Sequence, residues 1–315
     1  LVTANDTRDL TWDTRTNKAV LENLILENSH SKNGGGLSLF RVDGPAVKNL
    51  IVRNNTATMM GGGINVYSSV FSMEDVEIHD NLCYGTVYAG INDVGHGGGL
   101  FLNQTWGTLD NMDIHHNTAS MNGGGVWSSE GSAWTMTNSN VSDNIAPYNG
   151  GGFGFWNHNG EDLNATLINV TIENNIAQPG WFVGHGGGVW AYNSSTVFQD
   201  CIIRNNTAGG NGGGVNYYDG GWPELYNCVI DGNTSNAIGG GVYIHEDGGW
   251  NNNGLTMDRC LVINNSSNTF AGAISSAGNA GINRITNSTI VGNSGGGAAV
   301  EAYNASGLEV FNSII

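Results

Sequence analysis

The stretch Ile202–Tyr218, IIRNNTAGGNGGGVNYY, contains the pattern that decides the fold. Apolar residues lead to a pair of asparagines, a glycine triplet follows, and apolar residues then alternate with other residues. Three consecutive glycines oppose a helix, because each costs about 1 kcal/mol there relative to alanine. The alternation after the triplet indicates a strand. The stretch therefore predicts two short strands that meet at a glycine corner.

This pattern recurs along the chain. Glycine triplets begin at nine positions, and the first eight are separated by 27, 36, 26, 27, 36, 26 and 27 residues. Five pairs of triplets lie 89 residues apart, so three repeats form a longer unit. Between the triplets lies the motif apolar-x-x-apolar-x-apolar-x-x-Asn, which ends at Asn55, Asn81, Asn117, Asn144, Asn175, Asn206, Asn233, Asn265 and Asn293. Regular repeats of this length are typical of solenoids.

Two solenoid folds are consistent with the nine-residue motif. A leucine-rich repeat shares the nine-residue motif, but it needs a helix or a 3₁₀ segment on the return side of each repeat. Here the return side reads Gly-Gly-Gly-apolar-x-apolar, as in Gly61–Val66, which favours a second strand. We therefore predict an all-β parallel β-helix of about 10–11 coils over residues 20–315. Residues 1–19 are interpreted as an N-terminal lead-in, cap or contact segment.

The repeats resemble the right-handed parallel β-helix repeats of bacterial and archaeal surface proteins. The string Asn54–Ala57 before Gly61 is similar to the paired GGA[ILV] and FxxN repeats of chlamydial polymorphic outer-membrane proteins. This resemblance covers roughly residues 20–315 and implies a right-handed coil in a secreted, extracellular or cell-surface protein. The resemblance does not identify the function, because β-helices include adhesins, stalks, phage spikes and polysaccharide lyases.

Charge and composition exclude several classes of protein. There are 10 Lys and Arg residues against 27 Asp and Glu residues, a formal net charge of −17. Such a surface repels nucleic acid and anionic membranes, so we exclude nucleic acid as a partner. We predict no membrane span, because no apolar run reaches the roughly 18 residues that one needs. The chain starts at Leu1, which suggests a mature, trimmed or partial chain.

Motif positions should superimpose from coil to coil. The asparagines that end the motif are expected to form a ladder in which each amide bonds the turns above and below. The glycine triplets should supply positive φ angles and close backbone approach. An inward aliphatic stack is predicted from Val52, Ile78, Ile114, Val141, Ile172, Ile203, Ile230, Val262 and Ile290. Cys201, Cys228 and Cys260 share another inward column, where we expect buried thiols, or a disulfide if the protein is secreted.

Ionisable residues concentrate on two adjacent coils of the predicted surface. They lie four, two and one residues before the ladder asparagine and comprise Glu77, His79 and Asp80, then Asp113, His115 and His116. Imidazoles beside carboxylates bind a divalent cation such as calcium or perform acid–base chemistry, although a solvated polar stripe is the simpler interpretation. A polysaccharide lyase or glycosidase would draw its acid and base from Asp80, Asp113, Asp143 and Arg53.

Aromatic residues concentrate on the strand that follows each triplet. Those expected to point outward are Phe101, Trp127, Trp190 and Tyr243, and, two residues later in their coils, Trp156, Tyr192 and Tyr218. Exposed aromatic bands are typical of an interface with a partner or of a sugar-binding platform. Alternatively, the long loops 82–96 and 176–185 fold over these rings and bury them.

Sequons and the predicted ends suggest further partners. The sequons expected to accept N-glycans if the host glycosylates are Asn5, Asn54, Asn103, Asn164, Asn193, Asn205, Asn264 and Asn304. An open final rung would expose a pairing edge, so we expect copies of the chain to associate end to end or laterally.

These features support two hypotheses about function. The first is an extracellular structural or adhesive β-helix, as a subunit or segment of a rod or filament, with carbohydrate as a further partner. The alternative is a polysaccharide lyase or glycoside hydrolase that acts on an outer sheet.

Overall fold

The computed structural model describes residues 2–5, 19–85, 94–157, 163–177, 183–221, 223–246, 254–278, 281–304 and 307–315. These residues form 35 strands and no helix, so none of their segments is a helix that could cross a membrane. Each strand pairs in parallel with the strand one coil away. The predicted parallel β-solenoid, of about ten turns, is confirmed, and the leucine-rich repeat is excluded.

Three sheets run along the solenoid. Sheet A, of 11 strands, follows the glycine triplets and comprises Val2–Asn5, Leu37–Phe40, Ile64–Tyr67, Leu100–Asn103, Val126–Ser129, Phe153–Trp156, Val189–Tyr192, Val215–Tyr218, Val242–Glu246, Ile274–Gly278 and Val300–Ala302. Sheet B, of 15 strands, contains the nine-residue motif and comprises Val20–Glu27, Asp43–Arg53, Val70–His79, Trp106–His115, Ala133–Ser142, Asn164–Glu173, Ser195–Gln199, Ile202–Arg204, Pro223–Tyr226, Val229–Asp231, Thr256–Asp258, Leu261–Ile263, Ile282–Thr286, Thr289–Val291 and Gly307–Phe311. Sheet C, of nine strands, follows the ladder asparagines and comprises His30–Asn33, Thr56–Met60, Leu82–Cys83, Thr118–Ala119, Ile145–Ala146, Ile176–Ala177, Thr207–Ala208, Thr234–Ser235 and Ser266–Ser267.

The start of the chain joins this architecture. The strand Val2–Asn5 pairs with Leu37–Phe40 and is the first strand of sheet A. Residues 6–18 of the predicted lead-in segment lie outside the described residues.

The asparagine ladder forms as predicted, and Asn206 illustrates it. Its backbone N–H and its Nδ2 both donate to Asn233 Oδ1, at 3.0 and 2.9 Å, and Nδ2 also donates to the carbonyl of Ile172. Its own Oδ1 accepts the same two bonds from Asn175. Each buried amide thus bonds both neighbouring coils, which satisfies groups that would otherwise be costly to bury.

The glycine triplets mark the corner before sheet A. In eight of the nine triplets the first glycine has a φ between +61° and +68°, the left-handed region that glycine enters without strain. The other two glycines allow close approach: a Cβ on Gly62 would lie 2.2 Å from the Gly98 carbonyl oxygen of the next coil. The prediction is therefore confirmed at these corners. At the ninth triplet, Gly295 does not have a positive φ.

The core is a column of side chains from sheets A and B. The predicted aliphatic stack is buried throughout, from Val52 to Ile290. Large rings fill the middle coils, where Trp134 stacks on Phe153 and Phe155 and donates its Nε1–H to Ser128 Oγ at 2.9 Å.

The cysteine column has a structural role that sequence reasoning missed. A residue with left-handed φ, such as Asn227 (+55°), precedes each cysteine or serine and interrupts the backbone ladder of sheet B. The next coil's side chain then accepts the N–H: Cys228 donates to Cys260 Sγ at 3.4 Å, and Cys260 donates to Ser288 Oγ at 3.0 Å. All four cysteines of the chain are buried free thiols, and burial raises the pKa of Cys83 to about 12.

We predict that replacing Asn206 by alanine lowers the free energy of unfolding by about 3 kcal/mol or more, because several buried ladder groups lose their partners. Urea denaturation measures the change. Asn205→Asp is the matched control: Asn205 is exposed, its φ is +54°, and aspartate tolerates that conformation, so the expected change is within about 0.5 kcal/mol. Equal effects of the two substitutions would contradict the ladder's role.

Replacement of Cys260 separates hydrogen bonding from packing. Cys260→Ser preserves an acceptor for the Cys228 N–H, whereas Cys260→Val leaves this N–H buried without one. We expect the valine variant to be about 1–3 kcal/mol less stable than the serine variant by the same measurement. A valine variant as stable as the serine variant would show that the column serves packing alone.

Candidate functional site

The outer face of sheet A carries a concentration of aromatic residues. Outward side chains fall in two columns, at the second and fourth positions of each strand, because strand side chains alternate and the strands are in register. The second position includes Phe101, Trp127, Trp190 and Tyr243, whereas the fourth includes Phe40, Tyr67, Trp156, Tyr192, Tyr218 and His245. We call this surface the aromatic face.

The rings of the aromatic face stack into a continuous row. Trp190 lies 5.8 Å from Trp156 between ring centroids, and Trp156 lies 4.6 Å from Tyr192. The row continues from Tyr192 to Tyr218 at 6.2 Å and from Tyr218 to His245 at 5.0 Å. The short separation between coils permits these contacts, since hydrogen-bonded strands lie about 4.8 Å apart.

The expected exposure was wrong for the second-position rings. Phe101, Trp127, Trp190 and Tyr243 are only 2–6 % exposed, so they support the surface rather than form it. The fourth-position rings are accessible: Trp156 and Tyr192 are half-buried, and Tyr218 is exposed. Neighbouring rings bury the inner column, as where His96 stacks on Trp127 at 4.7 Å. Parts of the loops expected to cover these rings, residues 86–93 and 178–182, lie outside the described residues.

Gly154 lets the tryptophans of the inner column meet. It occupies the second position of its strand, between Trp127 and Trp190. A Cβ at Gly154 would lie 2.3 Å from Trp127 Cε3, so only glycine leaves room for the Trp127 ring to lie over this strand. The two indoles consequently stack at 6.1 Å across the intervening coil.

A groove of about 270 Å³ opens on the aromatic face, at the coils of Phe101, Trp127 and Trp156. Its residues include the half-buried ring of Trp156, which supplies accessible ring surface, and the largely buried rings of Phe101 and Trp127 beneath it. Polar side chains, among them Asn122, Ser129 and Glu130, supply hydrogen-bonding groups. Aromatic surface beside a few polar groups is the ordinary composition of a small-molecule site.

A second polar ladder borders this groove, one position before the glycine triplets. Asn122 Nδ2 contacts His96 Nδ1 at 3.2 Å, and Asn122 Oδ1 accepts the Asn149 N–H at 3.0 Å. Further along, the Asn211 N–H donates to His185 Nδ1 at 3.0 Å, and burial lowers the pKa of His185, which favours this neutral acceptor form. Sequence reasoning missed the ladder, although the recurrence of Asn and His before the triplets was a usable signal.

The ionisable cluster of sheet B assembles in the predicted register. Glu77 pairs with Asp113, and His79 pairs with His115, across adjacent strands. His115 Nε2 lies 3.3 Å from Glu77 Oε1, and His79 Nε2 lies 3.8 Å from the same oxygen. Asp113 Oδ2 is 3.9 Å from His115 Nε2. We call Glu77, His79 and His115 the histidine–carboxylate cluster, because their ligand atoms lie within 4.8 Å of one another.

The other ionisable residues predicted for this site lie around the histidine–carboxylate cluster and are not part of it. Asp80 Oδ2 lies 2.7 Å from His79 Nδ1, and His116 Nδ1 lies 2.8 Å from His115 Nδ1. Arg53, the register neighbour of His79, bonds Glu27 Oε2 at 2.7 Å instead of the acidic cluster. Asp143 lies one coil beyond His116, in the same column.

Backbone conformation explains why Asp80, His116 and Asp143 occur where they do. Each lies directly before a ladder asparagine with a φ of +53° to +55°. Asn, Asp and His are enriched in this left-handed region, and asparagine or glycine fills the position in the other coils, as at Asn54. Asp80 and His116 thus satisfy a turn requirement as well as contact the two cluster histidines.

The sequons differ in accessibility. Exposed acceptors are Asn54, Asn164, Asn205, Asn264 and Asn304, whereas Asn103 and Asn193 are half-buried and donate to Ser129 Oγ and to the Asn157 carbonyl. The side chain of Asn5 lies outside the described residues. Their glycosylation stays a prediction.

A buried carboxyl group anchors the corner beside the aromatic face. Glu246 is 2 % exposed, and its Oε1 accepts the Gly220 N–H at 3.1 Å. The adjacent Asp219 accepts the Tyr192 hydroxyl at 3.0 Å, so this corner helps to orient an accessible ring. Burial, and secondarily the charge of Asp219, raises the pKa of Glu246 to about 7.

Glu246 should make stability depend on pH. The folded state binds its proton more tightly than the unfolded state, whose pKa is near 4.5, so its stabilising contribution is complete below about pH 4.5 and is lost as pH rises to about 7. We predict a fall of about 3 kcal/mol in the free energy of unfolding over this window, measured by urea titration at each pH. Glu246→Gln should remove this component, and an unchanged pH profile would contradict the assignment.

A family of known proteins shares this architecture. Among solved structures, the crystal structure of a TibC-catalyzed hyper-glycosylated TibA55-350 fragment is 11% identical; the match covers 95% of this chain and 93% of that chain, with a TM-score of 0.20. No curated protein matches the chain at a significant level. The profile of the family described as "Right handed beta helix region" matches residues 91–249 and 163–315, which together exceed half of the chain. The chain therefore belongs to the right-handed β-helix family.

Proposed function

We propose that the protein is an adhesive, structural β-helix of the cell surface that binds neutral carbohydrate along its aromatic face. The observation that carries this proposal is the groove beside Trp127 and Trp156, which continues into the stacked row of rings. The C–H face of a sugar packs on an aromatic ring, while its hydroxyl groups need polar partners nearby. The groove offers both kinds of contact.

The shape of the aromatic face supports a polymeric ligand. The row of rings from Trp190 to His245 spans several coils, so a chain of sugars could contact rings on successive coils. Contacts repeated along one chain raise the overall affinity even when each is weak.

Charge supports neutral rather than acidic glycans. The net charge of −17 repels polyanions such as uronic-acid polymers, whereas neutral polysaccharides pay no electrostatic penalty on approach. Asp219 and Glu130, beside the rings, add local negative charge.

The scaffold supports an adhesive role because the ladders hold the rings rigidly. Rings already fixed by stacking lose little conformational freedom when a ligand binds. The extracellular location and the association of copies end to end or laterally stay predictions, and lyase or hydrolase activity is an outcome that the experiment below includes.

We predict that Trp156→Ala with Tyr192→Ala lowers the affinity for a neutral polysaccharide at least about tenfold, because two accessible platform rings are lost. Gly154→Ala should also weaken binding, since its Cβ displaces the Trp127 ring. Affinity electrophoresis or calorimetry over a panel of neutral and acidic polysaccharides measures these changes. Trp106→Ala is the matched control, because Trp106 is 46% exposed but lies on sheet B.

Three outcomes would count against this proposal. They are equal losses in the Trp106 variant, preference for acidic polymers, and unchanged binding in the double variant. The same incubations should be followed for reducing ends and unsaturated products. Cleavage that Asp80→Asn and Asp113→Asn abolish would replace adhesion with the enzymatic alternative.

A further inference from the structure

We propose that the histidine–carboxylate cluster binds one zinc ion, which links two adjacent coils of sheet B. The ligands would be Glu77 and His79 from one strand and His115 from the next. This site lies on a different sheet from the aromatic face, so it is independent of the proposed function.

The placement of the ligands follows from the strand geometry. Side chains two residues apart on a strand point to the same face, which brings Glu77 and His79 together. Parallel pairing in register then adds His115 directly beside His79. The two imidazoles consequently stack almost parallel, with centroids 5.0 Å apart and planes 6° apart. Because an imidazole lone pair lies in the ring plane, one ring must rotate before both Nε2 atoms can bind the same ion.

Two of the three separations are close to those of a tetrahedral zinc site, and the third, between the two Nε2 atoms, is below 4.8 Å. Two ligand atoms about 2.1 Å from zinc at a tetrahedral angle lie about 3.4 Å apart. The observed 3.3 Å between His115 Nε2 and Glu77 Oε1 agrees with that edge, and the 3.8 Å from His79 Nε2 requires a shift of only a few tenths of an ångström. Asp113, with Oδ2 3.9 Å from His115 Nε2, or a water molecule would complete the tetrahedron.

Hydrogen bonds on the far side of the rings orient the ligand nitrogens. The Asp80 carboxylate can only accept at His79 Nδ1, so Nδ1 carries the proton and Nε2 presents its lone pair to the cluster. This carboxylate–histidine–metal arrangement is the usual support of a zinc ligand. His116 Nδ1 contacts His115 Nδ1, and it supports the same tautomer of His115 when it is the acceptor of this bond.

The ligand types favour a transition metal. Imidazole nitrogen with carboxylate suits zinc, copper, iron and nickel, whereas calcium takes six to eight oxygen ligands and magnesium an octahedron of oxygens. Among the transition metals, a tetrahedral arrangement favours zinc over copper(II) and nickel(II), which prefer square-planar geometry. The sequence suggested a divalent cation such as calcium, but two of the three converging atoms are nitrogens. The cluster is also open to solvent, with side-chain exposures of 14% for His79, 21% for His115 and 41% for Glu77, so a metal can enter and exchange.

The experiment is titration of the full chain with zinc in competition with a chelating dye, and with calcium in parallel. We expect one zinc per chain, no competition from calcium at equal concentration, and a tetrahedral absorption spectrum when cobalt replaces zinc. The unfolding temperature should rise with free zinc and return after addition of a chelator.

Matched variants locate the site. His79→Gln and His115→Gln should each weaken zinc binding at least about tenfold, and Asp80→Asn, which retains a residue tolerant of positive φ, should weaken it about 10–100-fold. His30→Gln, at an exposed histidine of sheet C, and Asp143→Asn, in the same column as Asp80, should leave binding unchanged.

Absence of zinc binding by the native chain would overturn the proposal. So would undiminished binding in the His79 and His115 variants, or equal affinity for calcium. The cobalt spectrum of the native chain does not depend on any substitution, so a variant that failed to fold would not leave the proposal untested.

Discussion

Hydrogen bonding between identical amides of successive coils is the constraint on which this molecule depends. A ladder asparagine in the middle of the solenoid, such as Asn206, accepts two bonds through one oxygen and donates to both neighbouring coils. A slip by one residue would remove the amide from the ladder and turn the aliphatic stack outward. The ladder therefore sets the register of all three sheets, and the surface columns inherit their order from it.

Both candidate sites are consequences of that register. On sheet A it places outward rings one coil apart, so they stack into a row, and Gly154 allows a contact that skips a coil. On sheet B it places Glu77 and His79 beside Asp113 and His115. The same geometry thus produces an apolar platform where the sequence supplies aromatic residues and a ligand set where it supplies histidine and carboxylate.

Some residues of this fold both satisfy a tight turn and contact a surface cluster. The position before each ladder asparagine has a left-handed backbone, which Asn, Asp, His and Gly tolerate best. Asp80 and His116 meet this requirement and also contact the far nitrogens of the cluster histidines. The column of Cys228 shows the same effect. A left-handed residue interrupts the backbone hydrogen bonds of sheet B there, and the side chain of a cysteine or serine on the next coil accepts the N–H group that has lost its backbone partner. The backbone φ angle and the N–H groups that need an acceptor therefore restrict the residue types in these columns, whether or not a column also contributes to a surface site.

The sequence by itself determined the parallel coil, the asparagine ladder, the glycine corners and the pairing of Glu77 with Asp113. These features follow from the spacing of the repeats and from the alternation of residues along each strand, and both can be read directly from the sequence. It could not determine which outward rings are buried, since burial of Trp127 depends on His96 and on the missing side chain of Gly154. Nor could it separate the three converging cluster residues from Asp80 and His116. Only the tertiary structure decided these points, because they depend on side-chain direction and backbone φ, which neighbours on other coils impose.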